Sequence, residues 1–147
     1  MTIPVLDSTK DILESLPARE TVFAANTIED LHWLTQDIHA RNRKWWVNLE
    51  TGAPLDRNVG EMIALCHSEL SEALEGHRKR IMDDKLPHRP NFRVELIDAV
   101  IRLLDLLGSV DNSQHPAGTI FEEKRAFNKT RPDHLPENRL KEGGKVF

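Results

Sequence analysis

Two segments in the middle of the chain carry apolar residues at intervals of three and four, and this periodicity most narrows the possible fold. Such intervals match the helical repeat of about 3.6 residues, so each segment predicts an amphipathic helix. The first apolar set is Met62, Ile63, Cys66, Leu70, Ala73 and Leu74, and the second is Val94, Ile97, Val100, Ile101, Leu104 and Leu107. Because no segment shows the alternation of a strand, the sequence predicts an all-α fold, a helical bundle built from antiparallel helices and completed by self-association.

Capping residues, prolines and glycines predict where the helices begin and end. The predicted helices run from Thr27 to about Trp46, from Asn58 to Gly76, from Asn91 to Gly108 and from about Ala117 to Lys129. Thr27, Asn58 and Asn91 are expected N-caps, because a short polar side chain can accept a hydrogen bond from the first turn. Gly76 and Gly108 are the expected ends, since glycine readily adopts a left-handed conformation.

A chain of 147 residues suits one domain. We expect a helical domain over residues 27–131, preceded by an N-terminal extension over residues 1–26 and followed by a C-terminal tail over residues 132–147. A short helix at Asp11 to Leu16 is the one element expected in the extension.

Net charge, cysteine content and apolar segments indicate which partners the protein can bind and in which cellular compartment it is expected. The formal net charge is −4, so no general positive field would attract a nucleic acid polymer. The single cysteine, Cys66, cannot form an internal disulfide and is expected to be a small buried thiol. The N-terminal segment lacks the basic start and apolar core of a signal peptide, and no apolar run is long enough for a membrane span. We therefore expect a cytoplasmic protein without a membrane partner.

Two pairs of acids accompany the apolar segments. Glu69 and Glu72 share one helical face, and Glu95 and Asp98 have the same spacing on the next helix. If the two helices pack antiparallel, four carboxylates face each other, and their repulsion favours a bound divalent cation. Mg²⁺, with Mn²⁺ as an alternative, accepts carboxylate oxygens while it keeps water and phosphate ligands. Acids at this spacing also decorate ordinary solvated helices, which is the competing explanation.

These acids also lie in a recognisable order. The run SELSEALE at residues 68–75, followed by ELID at residues 95–98, resembles the paired acidic motifs of MazG-like nucleoside triphosphate pyrophosphohydrolases. The later run KRAFNKTRP is similar to the basic and amide segment of this all-α superfamily, which includes the dCTP pyrophosphatases. The similarity covers approximately residues 28–133. Ser68 stands where many members have a further glutamate, so the number of metal ions stays open.

The resemblance implies a reaction and a set of roles. A nucleoside triphosphate would be hydrolysed to its monophosphate and pyrophosphate, as part of the upkeep of the nucleotide pool. Glu69 and Glu72 would take part in catalysis, and a general base is expected among these two and Glu75. The implied Mg²⁺ ligands are Glu69, Glu72, Glu95 and Asp98, and the implied triphosphate contacts are Lys124, Asn128 and Arg131. Relatives of this kind also imply a homodimer or homotetramer.

Two adjacent tryptophans end the first predicted helix. An exposed indole at Trp45 or Trp46 could stack on a nucleobase, as similar aromatic residues do in dCTP-type relatives. We expect one of the two to contact the base, although a place in the core or in a subunit interface would also explain either residue. By the same resemblance the expected substrate is a deoxynucleoside triphosphate, with a pyrimidine preferred to a purine.

Two other kinds of protein fit the same helical pattern. A carboxylate-bridged di-metal bundle of another chemistry is less favoured, because such bundles use Glu-x-x-His pairs and neither acidic pair here includes a histidine. A non-catalytic helical interaction module would use the apolar faces for a partner alone. Mg²⁺-dependent release of pyrophosphate distinguishes the enzyme from both.

Overall fold

The computed structural model describes residues 18–111, 115–132, 135 and 138, with side chains described from residue 25 onward. The described helices are α1 (Ala18–Arg41), α2 (Val59–Lys79), α3 (Asn91–Val110) and α4 (Ala117–Thr130), with a short 3-10 turn at Arg43–Trp45. The described part contains no strand, only isolated bridges between Val47 and Pro54 and between Met82 and Pro90. The prediction of an all-α fold is confirmed. The short helix predicted at Asp11 to Leu16 and most of the tail lie outside the described residues.

The chain divides into two compact units. One unit, Trp33–Asp111, holds α1 from Trp33 onward, the 3-10 turn, α2 and α3. The other unit contains the described residues of 1–32 and 112–147, which include α1 up to His32 and all of α4. The domain expected over residues 27–131 therefore spans parts of both units.

The first helix differs from its prediction at both ends. It begins at Ala18, so the predicted N-cap at Thr27 is wrong and this threonine lies inside α1. Asn26 and Thr27 have side chains that suit a cap, but helix-favouring alanine, arginine and glutamate precede them and carry the helix through. The helix ends at Arg41 rather than near Trp46. A tighter turn follows, in which the backbone N–H of Trp46 donates to Arg43 O at 2.9 Å.

The second helix begins as predicted and ends later. Asn58 is its N-cap, because Asn58 Oδ1 accepts a hydrogen bond from the backbone N–H of Glu61 at 3.1 Å. The predicted end at Gly76 is wrong, since α2 continues to Lys79 and Arg80 takes the left-handed conformation with φ of 54°. Gly76 has a packing role instead: a Cβ atom there would overlap the side chain of Asn91.

The third helix starts at Asn91, so this residue is the first of the helix and not its N-cap. Pro90 holds the cap position without a side-chain hydrogen bond, and the Asn91 side chain points to Glu95 instead. The predicted end at Gly108 falls short of Val110. Gly108 allows close helix packing, because a Cβ atom there would lie 2.5 Å from the carbonyl oxygen of Thr35 in α1.

Helices α2 and α3 pack against one another. Contacts of Gly76 with Asn91 and of Glu69 with Arg102 show that they run antiparallel, as predicted. The buried residues of the pair are mostly small, which allows close approach: Met62, Cys66, Glu69, Ala73 and Gly76 on α2, and Ala99, Leu104, Asp105 and Gly108 on α3.

Several apolar residues that were expected in this core are instead exposed. Leu70 and Leu74 on α2 are 45% and 61% exposed, and Val100 on α3 is 46% exposed. The narrow stripe of small residues fills the interface between the helices, so the larger side chains beside it remain on the surface. The helix pair therefore keeps an apolar outer face.

In the other unit, α4 spans Ala117–Thr130, close to its predicted bounds. Gly118 lies against the backbone of Ile28 in α1, where a Cβ atom would overlap the Ile28 carbonyl. Across the described residues, no helix has the length and apolar character needed to cross a membrane.

Candidate functional site

A cavity of about 850 Å³ opens within the unit Trp33–Asp111. Its wall is rich in acids, which are Glu69, Glu72, Asp83, Glu95, Asp98 and Asp105. The cations on the wall are Arg57, Lys85 and Arg102. Trp45 and several aliphatic residues from α2 and α3 supply apolar surface. A ligand with both an aromatic part and a charged part would suit such a lining.

Three of the four predicted metal ligands form a compact group. One carboxylate oxygen each from Glu69, Glu95 and Asp98 lies within 4.8 Å of the other two. Glu72 lines the same cavity but does not belong to this group, and it is exposed. Carboxylate oxygens at this spacing could hold a metal ion. The spacing of three places Glu95 and Asp98 on one face of α3, and Glu69 meets them from the antiparallel α2.

Arg102 is paired with the group. Its Nε donates to Glu69 Oε1 at 2.6 Å, across the interface between α3 and α2. Glu69 is buried, with 7% of its surface exposed. A buried carboxylate needs a partner, and the guanidinium supplies the opposite charge.

The protein environment disfavours the charged forms of Glu95 and Asp98. Partial burial raises the pKa of Glu95, and the negative charges of Glu72 and Asp98 raise it further. Burial likewise raises the pKa of Asp98 although the residue is open to the cavity, and the charge of Glu69 adds to this effect. A positive ligand among these carboxylates would relieve the repulsion.

Asn91, the first residue of α3, supports one side of the group and is joined through Asp83 to the loop that precedes the helix. Asn91 Nδ2 donates to Glu95 Oε1 at 2.9 Å and fixes that side chain. In the loop, the buried Asp83 accepts hydrogen bonds from the backbone N–H groups of Lys85 and Leu86, at 3.0 and 2.6 Å. These bonds, that from Leu86 above all, hold the pKa of Asp83 below its usual range. Asp83 thus adds a stable negative charge to the cavity wall.

Asp105 is the centre of a second network on the cavity wall. Its Oδ1 accepts from His39 Nδ1 at 2.8 Å and from Trp46 Nε1 at 3.0 Å, while Oδ2 accepts from Asn42 Nδ2 at 3.0 Å. The residue is buried, with 5% of its surface exposed. The network fastens the end of α1 and the 3-10 turn to α3, so it sets the position of Trp45.

The two tryptophans have different surroundings. Trp45 lines the cavity, is 57% exposed and has the ammonium group of Lys44 5.1 Å from its ring centroid. Trp46 does not line the cavity; its N–H is bound to Asp105 and its ring meets His39 edge to face at 5.0 Å. Arg57 supports the turn by donating to the Trp45 carbonyl at 3.0 Å. The geometry thus makes Trp45 available to a ligand and ties Trp46 to the protein.

The predicted triphosphate contacts lie in the other unit. Lys124 and Asn128 belong to α4, and Arg131 follows its last residue. The ring of Phe127 brings the two cations together, with Lys124 Nζ 4.9 Å and Arg131 Cζ 6.0 Å from its centroid. Asn128 is half-buried, and its Oδ1 accepts no hydrogen bond in the described part. These residues form a group of their own.

Several cavity residues were not predicted as site residues, among them Arg57, Asp83 and Arg102. Arg102 follows Asp98 by one helical turn, so the helical period alone could have placed it on the same face. Asp105 lies three residues further along α3. No sequence signal identifies Asp83, because its burial depends on how the loop closes.

Comparisons with models of protein families, with curated proteins and with solved structures give no match. The chemistry of the cavity residues therefore carries the functional inference, together with the resemblance of the acidic motifs.

Proposed function

We propose that the chain is a Mg²⁺-dependent nucleoside triphosphate pyrophosphohydrolase of the MazG-like kind, with a deoxynucleotide as its preferred substrate. The proposal rests on one observation: the three carboxylates of Glu69, Glu95 and Asp98 lie close together in a cavity that is also lined by the exposed Trp45. Glu72 completes the expected ligand set from the cavity wall. Mn²⁺ would be an alternative metal.

The reaction would be attack of water on the α-phosphorus of the triphosphate. A new bond forms between the water oxygen and the α-phosphorus, and the bond from that phosphorus to the bridging oxygen breaks. The products are a nucleoside monophosphate and pyrophosphate. A bound divalent metal would neutralise phosphate oxygens and lower the pKa of a coordinated water.

The structure favours Glu72 over Glu75 as the residue that takes the proton from water. The Glu75 carboxylate is bound to Lys79 Nζ at 2.8 Å, and this contact lowers the pKa of Glu75. Glu75 does not line the cavity, whereas Glu72 does and forms no ion pair with a described residue. Glu69 is already bound by Arg102. A general base must have an oxygen free to accept a proton at the reacting water, and Glu72, which lies outside the group of Glu69, Glu95 and Asp98, satisfies this best.

Trp45 would hold the nucleobase against its exposed ring. Lys124, Asn128 and Arg131 are retained as triphosphate contacts from the resemblance, with Lys124 and Arg131 already grouped around Phe127. A cytoplasmic location and a homodimer or homotetramer complete the proposal.

Pyrophosphate release from a panel of nucleotides tests the proposal. The four deoxynucleoside triphosphates and their ribose counterparts would be assayed with Mg²⁺, with Mn²⁺ and with a chelator. We expect equal amounts of monophosphate and pyrophosphate, only when metal is present. Release of inorganic phosphate and a diphosphate would refute attack at the α-phosphorus, and no turnover would favour a non-catalytic interaction module.

A further inference from the structure

The group of three carboxylates from Glu69, Glu95 and Asp98 already has a positive partner in the protein, which is Arg102. Its Nε donates to the buried Glu69 at 2.6 Å, and its side chain is 41% exposed while that of Glu69 is 9% exposed. The guanidinium keeps its charge at all physiological pH values, so it permanently offsets part of the repulsion among the acids. The group is therefore partly neutralised by the chain itself.

A divalent cation and Arg102 would both require Glu69. A metal held by Glu69, Glu95 and Asp98 would bring a second positive centre beside the guanidinium, and the two cations would repel each other. We propose that Arg102 is a built-in counter-ion that competes with the metal for Glu69 and, once displaced, binds the phosphates of the nucleotide. This inference deepens the proposed function and rests on it.

The chemistry of Arg102 suits the second role. A guanidinium offers five donors in a planar fork that matches two phosphate oxygens at once. Among the described residues, only Nε of Arg102 has a hydrogen-bond partner, which leaves both terminal nitrogens to a ligand. The residue lines the cavity, and its exposure gives the long side chain room to turn.

The other cations of the cavity are held differently. Arg57 donates to the Trp45 carbonyl and to Met62 Sδ, so its guanidinium supports the 3-10 turn. The ammonium group of Lys85 is 3.8 Å from Asp84, and its side chain is 88% exposed. Arg102 is thus the cavity cation that contacts a member of the carboxylate group.

A metal titration without nucleotide tests the competition. Mn²⁺ binding would be measured by calorimetry and by electron paramagnetic resonance for the wild type, Arg102→Met, Arg102→Lys and Arg78→Met. Arg78 is the matched control, because it pairs with Glu75 on α2 and does not line the cavity. We expect Arg102→Met to tighten Mn²⁺ binding by about fivefold to tenfold, since one repelling charge is removed. Arg102→Lys should change it less, and Arg78→Met by less than about twofold.

An unchanged or weaker Mn²⁺ affinity in Arg102→Met would overturn the competition and indicate that Arg102 only supports the structure. Circular dichroism melting identifies a folding defect in that variant. If it does not fold, Arg102→Gln supplies the test, because its amide is neutral but can still donate a hydrogen bond to Glu69. Arg102→Gln should then bind Mn²⁺ more tightly than the wild type, and an affinity that changes no more than that of Arg78→Met would equally overturn the competition.

A second titration tests the phosphate role. At saturating Mn²⁺, a non-hydrolysable dCTP analogue should bind about tenfold more weakly to Arg102→Met, with part of the affinity restored in Arg102→Lys. Equal affinity in the wild type and Arg102→Met would refute this role. A protein that binds Mn²⁺ and the analogue but releases no pyrophosphate would refute the proposed reaction while these effects of Arg102 stand. If neither the wild type nor any variant binds Mn²⁺, both proposals fail.

Discussion

The indole N–H of Trp46 donates to Asp105 Oδ1 at 3.0 Å, and this hydrogen bond joins the 3-10 turn to α3. The same carboxylate accepts from His39 and Asn42, so one acidic residue organises the chain from the end of α1 to Trp46. Because Asp105 is buried and surrounded by donors, any replacement must leave some of them without an acceptor.

We expect Asp105→Asn to lower the free energy of unfolding by about 2–4 kcal/mol, because the amide keeps one oxygen acceptor but puts an NH₂ donor in place of an oxygen that accepts a hydrogen bond, and it loses the negative charge. Urea denaturation measures the loss. Asp84→Asn is the matched control, since the Asp84 side chain is 82% exposed and should leave the urea midpoint nearly unchanged. Equal effects in the two variants would show that the network contributes little.

The helical period predicted the class of fold and the meeting of the acids, because both depend on which residues share a helix face. It could not predict that Leu70 and Leu74 stay exposed, since burial depends on how closely the neighbouring helix approaches. Gly76 shows the same limit: a glycine near a helix end suggested a cap, but its actual role is contact with Asn91.

Individual contacts of the site were still harder to predict from sequence. The pairing of Arg102 with Glu69 joins residues on two helices, and the burial of Asp83 depends on the closing of a loop. Neither has a local pattern. Trp45 and Trp46 were equivalent by sequence, and only the acceptor at Asp105 separates their roles.

The second prediction concerns the carboxylates in catalysis. Glu72→Gln and Asp98→Asn should each lower pyrophosphate release by at least about 100-fold, because a neutral amide cannot replace the charge that binds metal or accepts a proton. Without metal, both variants should keep the helical content of the wild type, because the loss of one carboxylate lowers the repulsion among the others. Glu61→Gln is the control on α2, as Glu61 is exposed and does not line the cavity. Full activity in Asp98→Asn would contradict the metal site.

The third prediction is a pH dependence of stability in the presence of a chelator. Burial and repulsion raise the pKa values of Glu95 and Asp98 in the folded state, while the unfolded chain has ordinary values of about 4.3 and 3.9. Between the raised and the ordinary values, the folded state binds more protons than the unfolded state. These two groups therefore increase the free energy of unfolding as the pH falls through their raised pKa values.

Asp83 acts in the opposite direction at lower pH. The pKa of Asp83 is lowered in the folded state, mainly by the hydrogen bond from Leu86 N–H. Its contribution to the free energy of unfolding is therefore lost as the pH falls through that lowered pKa. Urea midpoints measured against pH for the wild type and for the double variant Glu95→Gln with Asp98→Asn separate the effects. In the wild type the urea midpoint should rise on mild acidification, and this rise should disappear in the double variant. A rise that persists in the double variant would show that other groups cause it.

The fourth prediction is self-association. The outer face of α2 and α3 exposes large apolar side chains, among them Ile63, Leu70, Leu74, Ile97, Val100, Leu103 and Leu107. Light scattering should show a dimer or tetramer. Val100→Glu should shift the oligomeric state toward the monomer without lowering the helical content. Val59→Glu is the control, because Val59 is similarly exposed but begins α2 beside its cap. A wild-type protein that is monomeric at assay concentration would refute the prediction.

The last prediction separates the two tryptophans. Trp45 is exposed on the cavity wall, so Trp45→Ala should remove a stacking contact and raise the KM for dCTP and dUTP by about tenfold, with a smaller change in kcat. Trp46→Phe keeps an aromatic ring but loses the N–H that binds Asp105, so it should lower the urea midpoint and change the KM less than Trp45→Ala does. Stacking alone distinguishes bases poorly, since every base has an aromatic face. The Trp45→Ala variant therefore does not test the preference for pyrimidines, which is measured separately as kcat/KM for all four deoxynucleotides. Faster hydrolysis of dATP or dGTP would refute that preference, and an unchanged KM in Trp45→Ala would refute the stacking role.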